Sequence, residues 1–310
     1  MDNRKIGKVT LDLSRYDPKD VYSDGEIEDE MLRIAKESGP EEINTLLNTT
    51  KSWPVFYHFS PVREQILRWY PFRKDASALE IGAGCGAVTG ALTDGCGQVT
   101  ALDLSLKRSE INAWRHREAD NLKIVVSNFQ AFAGSCTEKY DYVTLIGVFE
   151  YAAAYIQSGQ PYPELLDMAN RLLKAEGKLL IAIENRFGAK YFAGCAEDHL
   201  GSSFTGIAGY PQESGVRTFN LKEWKALLEE NGYADYRIYY PYPDYKLPFA
   251  IYSDEQLPGR GSLVRNQNNL DRDRVQLFPE DRFWDSLSGT DYFRDFSNSF
   301  FFEISRKEAG

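Results

Sequence analysis

Five short apolar runs mark the middle of the chain: SALEIG at 77–82, QVTALDL at 98–104, LKIVVS at 122–127, DYVTLIG at 141–147 and KLLIAIE at 178–184. Between them lie stretches with helical spacing, such as LKRSEINAWRHR at 106–117 and PELLDMANRLLKAEG at 163–177. Apolar runs alternating with helix-sized segments predict βαβ units, hence an α/β domain with a parallel sheet. Up to residue 75 the pattern reads as helix. Ser23 and Glu26 have capping-box spacing before IEDEMLRIAK, and Ser60-Pro61 supplies a cap and an N1 proline before VREQILRWY. Residues 1–75 are therefore predicted to be a helical N-terminal cap, and 76–310 the main domain.

The last third changes character. Residues 185–219 are too long for an ordinary βα loop, which marks them as a lid or substrate wall. The helix LKEWKALLEENG follows, with Asn220 as its cap and Gly232 as its terminator. DYRIYYPY at 235–242 and SNSFFFEISR at 297–306 read as late strands. A second insertion, 242–296, separates them, and its polar stretch at 260–274 is expected to form a mobile arm.

Composition narrows the function classes. Of the 310 residues 43% are hydrophobic and 26% charged, an ordinary globular mix. No apolar run reaches the roughly 20 residues of a membrane helix, and the polar start MDNRKIGKVT lacks the core of a signal peptide, so the expected address is the cytoplasm. A net charge of −10 without a dense Lys/Arg run argues against a nucleic-acid partner. Cys85, Cys96, Cys136 and Cys195 are too scattered for a disulfide framework or a zinc site, and no metal centre is expected.

The chemistry concentrates in Leu79-Glu80-Ile81-Gly82-Ala83-Gly84-Cys85-Gly86. A glycine turn after a strand lets a nucleotide touch backbone. Gly82-x-Gly84-x-x-Ala87 with Asp103 at the end of the next strand also satisfies a dinucleotide fingerprint. A P-loop is excluded because no Gly-Lys-Ser/Thr follows. Glu80 decides between the others: a carboxylate there repels a pyrophosphate but suits S-adenosylmethionine (SAM), whose sulfonium and ammonium are cationic. Asp103 then accepts from the ribose hydroxyls, and Asn128 and Phe129 offer an amide and a ring to the adenine.

In this order and spacing the chain resembles the class I SAM-dependent methyltransferases over residues 79–235. The resemblance implies a doubly wound, seven-stranded Rossmann-like sheet with long lid insertions. It implies SAM as cofactor and S-adenosylhomocysteine as product, with contacts from Tyr57, Glu80, Gly82, Ala83, Gly84, Gly86, Asp103, Leu104, Asn128, Phe129 and Gly147. The segment Gly147-Val-Phe-Glu150-Tyr-Ala152 has neither the Asn/Asp-Pro-Pro-aromatic nor the Pro-Cys motif of nucleobase methylation. Glu150 there is either a substrate or cofactor contact or a helix N-terminal acid.

Candidate acid/base groups gather after the fifth apolar run: Glu184, Glu197, Asp198 and His199. A hydroxyl acceptor needs a base, and His199 is the first choice, with Glu197, Glu184 and His58 as further candidates. His116, in WRHRE, reads as a solvated surface residue; Arg186 and Arg217 either bind an acidic group or pair with neighbouring carboxylates. The segments WPVFYHFSP, INAWR, IENRFGAKYFAG, EDHLG and YPYPDYKLP are similar to a bacterial methyltransferase subgroup that accompanies glycosyltransferases in cell-surface polysaccharide or secondary-metabolite assembly. That likeness implies O-methylation of a small-molecule or saccharide acceptor, and association as a homodimer or with a glycosyltransferase. The competing readings are a non-catalytic SAM-binding module, an aminopropyltransferase and, weakest, an NAD-dependent oxidoreductase.

Overall fold

A computed structural model describes residues 3–19, 22–23, 25–266 and 274–307. The chain divides into two compact units, residues 1–145 with 171–178, and residues 146–170 with 179–310.

The first unit contains β1 (Asn3–Ile6), β2 (Val9–Asp12), β3 (Ser77–Ile81), β4 (Gln98–Asp103), β5 (Leu122–Val126) and β6 (Tyr140–Ile146), in the order β1-β2-β5-β4-β3-β6. All neighbouring pairs except β1 and β2 are parallel. The apolar runs form strands because both faces are covered: β3 is buried from Ala78 to Ile81, and β6 from Tyr142 to Ile146. Helices Thr89–Gly95, Leu106–Arg115 and Phe129–Ser135 make the crossovers, as the βαβ pattern predicts.

The predicted helical cap needs correction at its start, where the chain forms an antiparallel hairpin and β2 runs parallel to β5. Each strand is only four residues long, too short for its alternation to stand out. Gly7 turns the hairpin at φ +58°, and a Cβ there would lie 2.2 Å from the Arg117 carbonyl oxygen. The helices do follow: Ile27–Glu37, Pro40–Leu47 and Trp53–Phe59. Met31, Ile34, Val55 and Phe59 pack with Ile111 and with Cys85 of the glycine turn. Ser23 is not the cap of the first helix; its hydroxyl donates to Glu28 at 2.8 Å.

In the second unit the strand order is β7-β10-β8-β9. These are β7 (Leu173–Glu184), which begins in the first unit, β8 (Tyr236–Tyr242), β9 (Ala250–Ser253) and β10 (Ser299–Ser305). β8 pairs antiparallel with β10 and β9, as expected for the late strands. Helix Pro161–Arg171 is shorter than its sequence pattern, because Leu173 to Gly177 already belong to β7. Helix Leu221–Glu230 starts at Asn220, whose side chain caps it reciprocally with Glu223. Trp224 fixes this helix against Phe149, Phe219 and Phe302.

The described residues hold ten strands rather than the expected seven. The surplus is the hairpin β1-β2 and the short β9, which lies inside the 242–296 insertion. The expected arm at 260–274 falls partly on 267–273, outside the described residues. No helix among the described residues is long and apolar enough to cross a membrane.

Candidate functional site

Each unit carries its own concentration of polar groups. In the first, β3 delivers Glu80 and the chain then turns through Gly82, Gly84 and Gly86, all at positive φ. Asp103, at the end of β4, accepts the Gly84 N–H on one oxygen and the Ser105 N–H on the other, each at 2.8 Å. Glu80 is fully buried and accepts from the Thr89 hydroxyl at 2.6 Å. Burial pushes its carboxyl up to about 8, and the nearby Asp103 adds to the rise. Burial raises Asp103 as well, opposed by Arg108 and the two backbone donors.

Arg108 lies against the turn: its guanidinium would be 3.7 Å from a Cβ on Gly84. It also meets Glu28 at 3.6 Å, His58 Nε2 at 3.3 Å and the face of Tyr22 at 4.8 Å. The donor set of this turn fits SAM. Glu80 places a buried carboxyl where a cationic group can meet it, the half-buried Asp103 is an acceptor for hydroxyls, and Arg108 offers a partner for a carboxylate.

Other expected cofactor residues have local tasks. Gly86 is demanded by packing, since a Cβ there would sit 2.3 Å from Asn112 Oδ1. Ala83 N–H is spent on the Leu102 carbonyl. Asn128 uses its side-chain oxygen to cap helix Phe129–Ser135 through Ala131 N–H, with Phe129 half-buried beside it. Leu104 is likewise half-buried. Tyr57 is covered by the Arg63 guanidinium at 4.3 Å. Gly147 belongs to the second unit, where its N–H donates to Ala182 and its missing side chain admits the Tyr245 hydroxyl, 2.7 Å from where a Cβ would be.

The second unit gathers the expected acid/base residues. Glu150, in the 3-10 turn Phe149–Tyr151, and Glu184, the last residue of β7, are both buried. His199 Nε2 is 3.4 Å from Glu150 Oε1 and 3.9 Å from Glu184 Oε2, while its Nδ1 is 2.9 Å from Glu197 Oε1. Glu197 is itself held by the His199 and Leu200 N–H groups and by the Tyr210 hydroxyl. Tyr151 and the imidazole meet edge to face, with their ring centroids 5.3 Å apart. Glu184 Oε1 pairs with Lys246 at 2.5 Å and accepts from the Tyr245 hydroxyl at 3.3 Å. Lys246 also binds Asp198, which Lys190 ties to Asp244.

Three carboxylates surround the His199 ring. Burial would lower its pKa, but Glu184, Glu150 and Glu197 overcome that and raise it well above the ordinary imidazole value. The surrounding carboxylates thus favour the protonated ring, which is a poorer base than a free imidazole. Among the candidates, Glu150, Glu184, Glu197 and His199 come together. His58 does not join them; it sits in the first unit beside Arg108, its carbonyl bound by Arg115.

His116 also departs from expectation. Its Nδ1 faces Asn112 Oδ1 at 2.8 Å, and burial followed by Arg115 depresses it to about 3, so it is a neutral packed ring rather than a solvated one. Arg186 and Arg217 both pair with Glu223, the bland alternative. Glu150 is the acid of the first turn of its 3-10 segment, and it is buried. The residues that sequence reasoning passed over are Arg108, Tyr245, Lys246, Lys190 and Asp244. Asp244, Tyr245 and Lys246 lay in the YPYPDYKLP segment, where their mixture of charge and aromatic rings was the available signal.

A family model described as a methyltransferase domain matches residues 79–179, which contain the glycine turn, Asp103 and Glu150. No curated protein matches the sequence significantly. Among solved structures, the chain is similar to the N-methyltransferase NodS of Bradyrhizobium japonicum in complex with S-adenosylhomocysteine, at 18% identity over 47% of this chain and 73% of that one, with a TM-score of 0.37. It is similar to a chain of the Haloferax volcanii complex between the Trm112 methyltransferase activator and a putative methyltransferase, at 14% identity, 90% and 98% coverage and a TM-score of 0.48. It is also similar to a SAM-dependent methyltransferase of Archaeoglobus fulgidus, at 16% identity, 79% and 93% coverage and a TM-score of 0.47. The domain match and the turn together make the protein a methyltransferase enzyme, and its cofactor is SAM.

Proposed function

We propose that the enzyme methylates a hydroxyl oxygen of a small polar or glycan-type acceptor. One observation carries this reading: Glu150 Oε2 and Glu184 Oε2 are buried and make no hydrogen bond among the described residues. Carboxylate oxygens only accept, and a hydroxyl brings the donor that they lack. An amine is the poorer acceptor there, because a cluster of carboxylates stabilises its ammonium form, which has no lone pair for the methyl group. The segments 185–219 and 242–296 supply the lining, through His199 and Lys246 respectively.

Bound SAM supplies an electrophilic methyl group on a sulfonium. The chain holds it through the backbone of Gly82 to Gly86, with Asp103 accepting from the ribose hydroxyls, Glu80 facing the positive groups and Arg108 taking the methionine carboxylate. Asn128 and Phe129 border the adenine. Incubation with SAM and matched panels of saccharides and amines, read by mass spectrometry, tests the acceptor assignment: O-methyl products are expected, and N-methyl products alone would overturn it. Glu150→Gln is expected to lower kcat on the order of a hundredfold while SAM affinity is unchanged.

A further inference from the structure

We propose that Glu150, Glu184 and His199 are the protein ligands of a divalent-cation site, with Glu197 as the residue that orients the imidazole. Each contributes one donor atom, and the three atoms lie within 4.8 Å of one another. Two donors about 2.1 Å from one metal are about 3.0 Å apart at a right angle and about 3.4 Å apart at the tetrahedral angle. The separations from His199 Nε2, 3.4 Å and 3.9 Å, are at that spacing or a few tenths beyond it.

The orphaned oxygens are an independent observation. Glu150 and Glu184 are 1% and 0% exposed, and each keeps one carboxylate oxygen without a hydrogen bond. Buried oxygens of this kind are costly unless a cation or a donor meets them. The hydrogen-bond pattern of His199 points the same way. Glu197 Oε1 accepts from Nδ1, which leaves Nε2 directed at oxygens that carry no hydrogen. A carboxylate behind Nδ1 and a free lone pair on Nε2 is the arrangement that metal-binding histidines adopt.

Charge balance agrees. Glu150, Glu184, Glu197, Asp198 and Asp244 gather around His199 with Lys190 and Lys246 as the lysines paired to them, five carboxyl groups to two ammonium groups, and a divalent ion suits such a carboxyl-rich set. Two carboxylates and one imidazole suit a first-row ion such as Mn2+ or Zn2+ better than Ca2+, which prefers six or more oxygens. Three protein ligands leave positions open. Resting on the O-methylation reading, the substrate class is then an acceptor with two adjacent oxygen donors, such as a vicinal diol or a hydroxy acid of a sugar, that chelates the ion.

The full-length chain, stripped with EDTA and titrated with MnCl2, tests the site by electron paramagnetic resonance and calorimetry without SAM or acceptor. One Mn2+ per chain is expected. Glu150→Gln and His199→Ala should abolish stoichiometric binding, and Glu197→Gln should weaken it about 10- to 100-fold. Retained SAM affinity and far-UV circular dichroism verify that each variant is folded. Absence of stoichiometric Mn2+ and Zn2+ binding by the wild-type chain, leaving a proton as the only cation on His199, overturns the site, as does binding that survives in the Glu150→Gln/His199→Ala double variant. O-methylation that persists in EDTA, in a chain that binds no metal, removes this site and leaves the acceptor assignment standing. A chain that binds Mn2+ but methylates only amines does the reverse.

Discussion

Glu80 is a carboxylate placed where water cannot solvate it, with the Thr89 hydroxyl as its hydrogen-bond donor and Asp103 close enough to raise it further. Its carboxyl titrates at about 8, so below that pH the ligand-free turn holds it protonated. A cationic ligand favours the ionised form, and binding must draw the proton off. SAM affinity is therefore expected to increase with pH up to about 8 through a contribution that Glu80→Gln lacks. Calorimetry of both proteins from pH 6 to 9 measures it, and identical pH profiles would remove Glu80 from cofactor binding. At this scale the sequence was informative wherever chemistry is local. The acid, the three glycines and Asp103 lie within 25 residues of one another; their spacing also admitted a dinucleotide, and the charge of Glu80 pointed to SAM. It was silent on Arg108 and Lys246, ordinary surface-type residues whose value comes from what packs around them.

At the scale of elements, the start of β3 is held by one carboxylate. Asp141 accepts from the Ser77 N–H and hydroxyl at 2.8 and 2.9 Å and pairs with Arg73 and Lys174, each at 2.7 Å. Burial would raise its pKa, but Lys174 and Ser77 lower it from 3.8 to about 2. A depressed carboxylate contributes stability fully above its unfolded value, and this is lost as pH falls through about 2. Asp141→Asn is expected to cost about 1–3 kcal/mol at pH 7 in urea unfolding, with the difference from wild type shrinking between pH 4 and 2. The central strands were legible because long apolar runs have few other uses. The hairpin β1-β2, β9 and the early start of β7 were not. Four-residue strands carry little periodicity, and Leu173 to Gly177 could extend a helix as readily as begin a strand. The acid cluster of the second unit was half visible. Glu184, Glu197 and His199 lie close in sequence, whereas Glu150 joins them only through the fold.

For the molecule as a whole, the two polar centres lie in separate compact units, one carrying Glu80 and Asp103 and the other Glu150, Glu184 and His199. Ligands should therefore leave separate marks. Hydrogen exchange read by mass spectrometry is expected to slow at 79–108 on adding SAM, and at 147–151 and 184–200 on adding MnCl2. Protection by MnCl2 confined to the first unit would contradict the assignment of the cation to the second.

The pairing of β2 with β5 has a consequence for biosynthesis. Thr10 finds its neighbour at Lys123, so β2, which leaves the ribosome before β5, has only its hairpin partner β1 to pair with until β5 has also emerged. At usual translation speeds the wait is on the order of ten seconds. During it Val9 and Leu11, and the faces of Met31 and Ile34 that later meet Ile111, have nothing to cover them. Newly made chains are thus a natural client for a holding chaperone, and slowing the ribosome between the codons of β2 and those of β5 should lower the yield of native enzyme.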